Sequence, residues 1–282
     1  MKSVVITGVS TGIGEAAARR LASEGFHVFG SVRRMADADR LREELGSSFT
    51  PLLFDVTDET AVRAAAREVE SVLGSATLSG LVNNAGVAVA GPLLHLPVAD
   101  LRRQMEINLT GVFLVTQAFA PLLGAGQERS GPPGRILNIS SVAGRTGNPF
   151  MGPYSASKFA LEGYSQSLRR ELLPFGVDVI VIAPGAVRTP IWSKGEEIDL
   201  SAYDATPYRK PLQRLKAFMS GAAVSGLPVE RLGGLIAHAL TVKRPRPRYR
   251  ITPDPLRTMM TESLLPTRVL DHIIGRALGL LK

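Results

Sequence analysis

Short apolar runs rich in β-branched residues recur along this chain, each followed by a stretch with helical spacing, and this rhythm limits its possible folds more than any other feature. The runs are "SVVITG" (3–8), "HVFGSVR" (27–33), "FTPLLFDV" (49–56), "LSGLVNNAG" (78–86), "GRILNIS" (134–140) and "VDVIVIAPG" (177–185). Such near-continuous runs suit strands buried on both faces. Residues 13–24, 59–73, 97–123 and 153–174 carry helical spacing between them. Strand–helix alternation of this kind predicts βαβ units and a parallel sheet with helices on both faces. A later run, "RYRI", adds a strand, so the expectation is an α/β fold with a doubly wound sheet of about seven strands. No internal repeat or low-complexity linker divides the chain, which favours one domain over residues 1–282. After Pro184 the pattern breaks. Residues 186–226 read as a long irregular excursion, which in a compact α/β domain suits a lid or binding loop. The helical pattern "VERLGGLIAHAL" follows, then the last strand and a C-terminal extension over about 252–282 ending in the tail helix "LPTRVLDHIIGRALGLL".

Composition narrows the chemistry. The 282 residues include no cysteine, which excludes disulfides and thiolate nucleophiles or metal ligands and fits a reducing, cytoplasmic setting. His27, His95, His238 and His272 are scattered, so a metal-free site is expected. The N-terminus reaches a glycine-rich turn within eight residues, leaving no room for a signal peptide, and no apolar run reads as a bilayer span. The net charge of +8 is concentrated in residues 243–282, where nine Lys/Arg face three Asp/Glu. Its densest part, "KRPRPRYR", lacks interleaved stacking aromatics and reads as a solvated surface rather than a nucleic-acid site. The tail helix has apolar and basic faces; core or interface cover is favoured over peripheral membrane contact.

The first run leads through Gly8, Gly12 and Gly14 directly into a helix pattern, "VVITGVSTGIGEAAARRLA". Glycines permit a tight turn and close approach of an anion, and the helix N-terminus offers unpaired N–H groups. This strand–turn–helix context points to a dinucleotide pyrophosphate site. The spacing is G-x-x-x-G-x-G rather than G-x-G-x-x-G, and it resembles the short-chain dehydrogenase/reductase family. Further residues match that family in order: "NNAG" at 83–86, Asn108, Ser141, Tyr154-x-x-x-Lys158, and "PG" at 184–185 followed by Thr189. The resemblance spans residues 7–189 and implies a Rossmann-like domain, an NAD(P) cofactor and hydride transfer. It implies cofactor contacts at Gly8, Ser10, Thr11, Gly12, Ile13, Gly14, Asp55, Val56, Asn84, Ala85, Gly86, Tyr154, Lys158, Pro184, Gly185, Val187 and Thr189.

In dinucleotide folds an acidic residue ending the second strand binds the ribose 2′-hydroxyl, whereas a nearby arginine accommodates a 2′-phosphate. Here that strand ends in Val32, Arg33 and Arg34, which favours NADP(H) over NAD(H). Asp55 resembles the family's adenine-contacting aspartate or caps the segment after it.

On a helix, residues four apart share a face, so Tyr154 and Lys158 point into one cleft. A free phenol titrates near 10 and is a poor proton shuttle. A neighbouring ammonium and an oxidised nicotinamide favour the phenolate, so a lowered tyrosine pKa suited to acid–base work is expected. The family resemblance implies that Lys158 also holds the nicotinamide ribose, that Ser141 hydrogen-bonds the reacting oxygen, and that Asn108 bends its helix and holds a water linking Lys158 to solvent. Tyr164, with no lysine four residues on, reads as packing.

The loop after Ser141 and the segment after Thr189 offer Phe150, Met151, Ile191 and Trp192 as apolar substrate contacts, suited to a hydrophobic ketone, aldehyde or alcohol. The tail resembles family members acting on steroid- or retinoid-like molecules. The expected function is an NADP(H)-dependent carbonyl reductase or alcohol dehydrogenase. A nucleotide sensor without turnover is the alternative from another class, and an epimerase or dehydratase ranks below both. A homodimer or homotetramer pairing through the outer face of the 153–174 helix is also expected.

Overall fold

Alternate residues of a strand face opposite sides of a sheet, and the apolar runs use both. In β1 (Lys2–Ile6), Val4 and Ile6 enter one layer of the core while Val5 enters the other. The computed structural model describes residues 2–126, 128–190, 201–255 and 265–281. β1 is joined by β2 (Phe26–Val32), β3 (Phe49–Leu53), β4 (Gly80–Asn83), β5 (Arg135–Ile139), β6 (Asp178–Pro184) and β7 (Arg248–Ile251). All pair in parallel in the order β3-β2-β1-β4-β5-β6-β7. This is the expected seven-stranded, doubly wound sheet.

Helices α1 (Gly12–Ser23), α2 (Met35–Leu45) and α8 (Val229–Thr241) cover one face, burying Ala17, Leu21, Leu41, Leu232 and Ile236 against Val28, Leu137 and Ile180. Helices α3 (Glu59–Leu73) and α5 (Gly111–Phe119) cover the other, burying Val62, Val69, Val115 and Phe119 against Phe29, Leu81 and Ile136. Helix α6 (Gly152–Glu171) runs along the β5–β6 side and contributes the buried Leu161. Helices α4 (Val98–Met105), α7 (Arg209–Ser225) and α9 (Thr267–Leu278) complete the described set.

The structure departs from the sequence reading in four places. Helix α2 went unread because its "MADADRLREEL" is charge-rich and buries only Ala38 and Leu41. The 97–123 pattern is a broken helix: α4 and α5 are joined by a wider π-turn at Glu106–Thr110. The 186–226 excursion is not irregular throughout, since α7 occupies its second half. Leu212, Leu215 and Met219 fall at helical spacing there and build a third, smaller core with Phe150 and Tyr203. Finally, Val98–Leu123 is long and apolar enough to cross a bilayer by length and composition. Its Val115, Phe119, Leu122 and Leu123 instead pack into the core of this fold, and a core helix meets the same criterion.

Helices α1 and α8 meet at a glycine. A Cβ on Gly233 would stand 2.7 Å from the Ala16 carbonyl oxygen and 3.0 Å from its carbon, both backbone atoms that cannot swing away. Gly233→Ala should therefore cost about 1–3 kcal/mol through overpacking. It should be read as a lower denaturant midpoint at unchanged m-value; an unchanged midpoint would show that the two helices separate freely.

Candidate active site

In an open parallel sheet the ligand crevice forms beyond the strand C-termini where the order reverses. Here the reversal lies between β1 and β4, and a cleft of about 600 Å³ opens there. The glycine turn after β1 forms one wall. Gly8 and Gly12 hold φ of +70° and +66°, in the left-handed region open to glycine. The Gly8 N–H donates to Ser31 Oγ at 2.9 Å, tying the turn to β2. A Cβ on Gly14 would collide with the Gly8 carbonyl and the Asn84 side chain, so the third glycine lets α1 start hard against the turn. Thr11 does not cap α1 with its side chain, so the first N–H groups of the helix remain available to an anion.

Asn84 secures the opposite wall. Its Nδ2 donates to the Thr7 and Gly8 carbonyls at 2.9 and 3.0 Å. Thr7 Oγ1 in turn accepts from the backbone N–H groups of Asn84 and Ala85 at 2.9 and 3.0 Å. The cleft brings together Gly8, Ser10, Thr11, Gly12, Ile13, Asp55, Val56, Asn84, Ala85, Gly86, Pro184, Gly185, Val187 and Thr189, all read from the sequence. This donor set, with bare helix N–H groups at one end and small backbone-exposing residues along both walls, fits a nicotinamide dinucleotide.

The two arginines after β2 separate. Arg33 stands at the cleft rim, two-thirds exposed, with Nη1 3.7 Å from Asp55 Oδ2. Arg34 instead donates two hydrogen bonds to Asp37, at 2.8 and 3.1 Å, in the first turn of α2. The structure therefore leaves Arg34 outside the cleft lining. Asp55 Oδ1 accepts from the N–H and hydroxyl of Thr57 at 3.0 and 2.8 Å, so it caps the following turn while lining the cleft. Burial works to raise its carboxyl pKa, but the Thr57 bonds and Arg33 hold it below the usual range.

At the inner end Ser141, Tyr154 and Lys158 converge. Ser141 follows β5, its Oγ accepting from the Ala143 N–H at 3.1 Å and donating weakly to the Pro184 carbonyl at 3.5 Å. The same hydroxyl faces the Tyr154 phenol and acts to lower its pKa. Lys158 is 6% exposed, donates from Nζ to the Ile139 carbonyl at 2.7 Å, and sits 5.8 Å from the Tyr154 ring centroid. Burial pushes the Tyr154 phenol up, partly offset by the Ser141 hydroxyl. Burial also lowers Lys158 from 10.5 to about 8, opposed by the Glu162 carboxylate. The protein without nucleotide thus leaves the phenol above its usual range, because burial is the larger effect and the Ser141 hydroxyl offsets it only in part.

Asn108 lies in the π-turn, buried, with Oδ1 accepting from the Val87 N–H at 2.9 Å and Nδ2 donating to the Val87 carbonyl at 3.0 Å. It also donates to Ser157 Oγ at 3.2 Å, and Ser157 donates to the Tyr154 carbonyl at 2.7 Å. Asn108 thereby joins the cleft wall to the helix carrying Tyr154 and Lys158. Sequence reasoning missed a second tie, the buried chain in which Asn83 donates to Asn138 and Asn138 donates to Ser165. The two asparagines sit within strand runs, where a polar residue flanked by isoleucine or valine was the available signal.

The substrate candidates divide. Phe150 and Met151 are buried just before α6 but are not part of the cleft lining; Phe150 packs against α7. Ile191 and Trp192 lie outside the described residues. Val87, Ala88, Val89 and Ile107 line the cleft and were not anticipated. Tyr164 stands edge-on to Phe113, with ring centroids 6.2 Å apart, as a packing residue should.

The sheet, its switch-point cleft and the glycine turn define a dinucleotide-binding α/β protein. Residues 2–198 match the short chain dehydrogenase family, and the chain belongs to the short-chain dehydrogenase/reductase family of oxidoreductases. It is 40% identical over 278 residues to an NADPH-dependent 3-dehydrocapnine reductase of Ornithobacterium rhinotracheale, covering 99% of this chain and 98% of that one. It is 33% identical over 285 residues to retinol dehydrogenase 5 of Mus musculus, covering 96% and 87%. Among solved structures, a short chain dehydrogenase/reductase from Burkholderia phymatum in complex with NAD superposes with a TM-score of 0.78 at 25% identity, covering 97% and 95%.

The buried ammonium has a measurable signature. Lys158 binds its proton less tightly folded than unfolded. Below about pH 8 both states are charged and the burial penalty is fully present. Between about 8 and 10.5 the unfolded chain carries more proton, so this group makes stability rise with pH. Denaturant unfolding should show wild type gaining on Lys158→Met across that window; a constant difference would mean that Lys158 keeps its ordinary pKa.

Proposed function

We propose that this protein is an NADP(H)-dependent reductase that interconverts a hydrophobic ketone or aldehyde with its alcohol. The observation carrying this reading is the convergence of Ser141, Tyr154 and Lys158 at the inner end of a dinucleotide cleft. The nicotinamide, when bound, supplies or accepts the hydride. Tyr154 gives its phenolic proton to the carbonyl oxygen in the reducing direction and takes it back in the oxidising direction. The Ser141 hydroxyl donates to the same oxygen as it gains negative charge. The Lys158 ammonium favours the phenolate left behind and holds the nicotinamide ribose hydroxyls, while Asn108 keeps α6 at its height over the cleft.

Preference for NADP(H) rests on Arg33, exposed at the rim where a 2′-phosphate would lie, and on the absence of a carboxylate at the end of β2. The NADPH-dependent relative supports it. The nearby Asp55 carboxylate stands 3.7 Å from Arg33, an exposed and loose contact that a phosphate can displace. The hydrophobic substrate class is supported by Val87, Val89 and Ile107 along the cleft and by the retinol dehydrogenase relative. Association through the outer face of α6, where Phe159 and the neighbouring Phe113 of α5 are exposed, belongs to the same reading, as does a cytoplasmic setting for the cysteine-free chain.

NADPH consumption with a panel of hydrophobic ketones and aldehydes tests the reaction. Tyr154→Phe should abolish turnover while NADPH still binds by fluorescence; an active variant removes Tyr154 from the chemistry. Wild type that binds NADPH but turns over no member of a broad panel would favour the sensor. Arg33→Ala should weaken NADPH at least tenfold, consistent with loss of a charge-assisted phosphate contact, and leave NADH nearly unchanged. Equal losses for both would overturn the cofactor preference.

A further inference from the structure

Behind the cleft, one turn beyond Lys158 on the same face of α6, lies a carboxylate that the proposed mechanism does not use. Glu162 is buried, with 7% of its side chain exposed. Arg248, from the edge strand β7 and 86 residues away in sequence, places Nε 3.1 Å from both of its carboxylate oxygens. The arginine is also largely covered, at 17% exposure, and its Nη2 is buried with no hydrogen-bond partner among the described residues. A buried ion pair of this kind is weak evidence for stability, since taking both charges out of water costs several kcal/mol.

Its placement points to another role. Tyr154, Lys158 and Glu162 follow one another at i, i+4 and i+8 on α6, so they share a face. Residues that far apart on a helix bring their side chains together, and the Glu162 charge acts on the Lys158 ammonium in the direction that keeps it protonated. Among the described residues, Glu162 is the carboxylate that acts on Lys158. Around Lys158, α6 supplies Tyr154 and Glu162, β5 supplies the Ile139 carbonyl and the Ser141 that follows it, and the π-turn supplies Asn108 through Ser157. Behind Glu162 stand the guanidinium groups of Arg248 from β7, Arg145 from the turn after Ser141 and Arg169 from α6, which with Glu162 line a small second cavity. The packing fixes the carboxylate in place: a Cβ on Gly144 would stand 3.0 Å from Glu162 Cγ and 3.1 Å from the Lys158 carbonyl.

We infer that Glu162, held by Arg248, is a positioning residue that keeps Lys158 charged, and that the last strand of the sheet is thereby tied to the ionisation of the site. This rests on the proposed role of Lys158 in the reaction. The Glu162 carboxylate lies one helical turn beyond Lys158 on the same face of α6, and the Arg248 guanidinium holds it there. Glu162 touches neither substrate nor cofactor and acts only through Lys158.

The test reads Lys158 directly, in the protein without nucleotide. Lysine is labelled with 13C at Cε, its shift is followed against pH, and the Lys158 signal is assigned by its loss in Lys158→Met. Wild type should titrate near 8. Glu162→Gln should move the midpoint down by about one pH unit, a tenfold change in proton affinity. Because Gln leaves the Arg248 charge buried without a partner and can unfold the chain, the double variant E162Q/R248Q removes both charges together. It should fold and show the same downward direction. Glu162→Asp, which keeps the charge, should restore most of the shift. Lys158 midpoints equal to wild type in folded variants would overturn the inference whatever their melting temperatures. A parallel pH profile of NADPH turnover separates the two readings. Shifted midpoints without any turnover in wild type would count against the reductase, while turnover with unmoved midpoints would count against Glu162 alone.

Discussion

A buried chain of side-chain hydrogen bonds fixes the height of α6 against the sheet, and the candidate site depends on it. Asn83 in β4 donates to Asn138 in β5 at 2.9 Å and to Thr116 in α5 at 3.1 Å. Asn138 passes the chain to Ser165 of α6 at 2.9 Å, and Ser165 donates to the Leu161 carbonyl at 2.6 Å. Every member is buried, so each broken link would strand a polar group out of water, and the chain specifies one arrangement more sharply than apolar contacts at the same positions could. With α6 held in this way its N-terminal turns overhang the ends of β5 and β6, and only there can Lys158 reach the Ile139 carbonyl while Tyr154 meets Ser141. Asn108 locks the opposite side through Ser157. Two amide-to-hydroxyl ties, at Ser157 and Ser165, therefore fix α6 along the floor of the cleft.

The electrostatics of that floor follow from burial. Desolvation disfavours whichever form is charged, so it raises the phenol and lowers the ammonium together. Protein groups alone leave Tyr154 protonated, which is the state a proton donor to a carbonyl requires. The opposite task, accepting a proton from an alcohol, calls for a positive charge close to the ring, and Lys158 provides it only while it remains an ammonium. In the proposed reaction, the direction in which the site works is thus coupled to the charge on Lys158.

Much of this was legible in the sequence because strands buried on both faces leave continuous apolar runs, and all six runs became strands. The cofactor turn was legible because Gly8, Gly12 and Gly14 each answer a separate steric demand. Helix α2 was lost because its buried face is reduced to Ala38 and Leu41 amid charge, and α7 because Pro207 and Pro211 at its start suggested a loop. The separation of Arg33 from Arg34 was invisible for a different reason. It depends on Asp37, three residues on, capturing the second guanidinium once α2 has formed. The Glu162–Arg248 pair joins residues 86 apart, a contact that no local pattern announces.

The third, smaller core obeys a separate packing logic. Phe150 adopts φ of +65°, a conformation uncommon for a bulky residue. It is held there by the Gly91 N–H, which donates to its carbonyl at 2.7 Å, and by Tyr208, edge-on with ring centroids 5.7 Å apart. With Tyr203, Leu212, Leu215 and Met219 it forms a small core distinct from the two layers that sandwich the sheet. Substitutions in this small core can repack without disturbing the chain from Asn83 to Ser165 or the glycine turn. The floor of the cleft and this third core therefore answer to different constraints: the floor to a buried hydrogen-bond chain that permits one arrangement, the third core to apolar packing that can readjust.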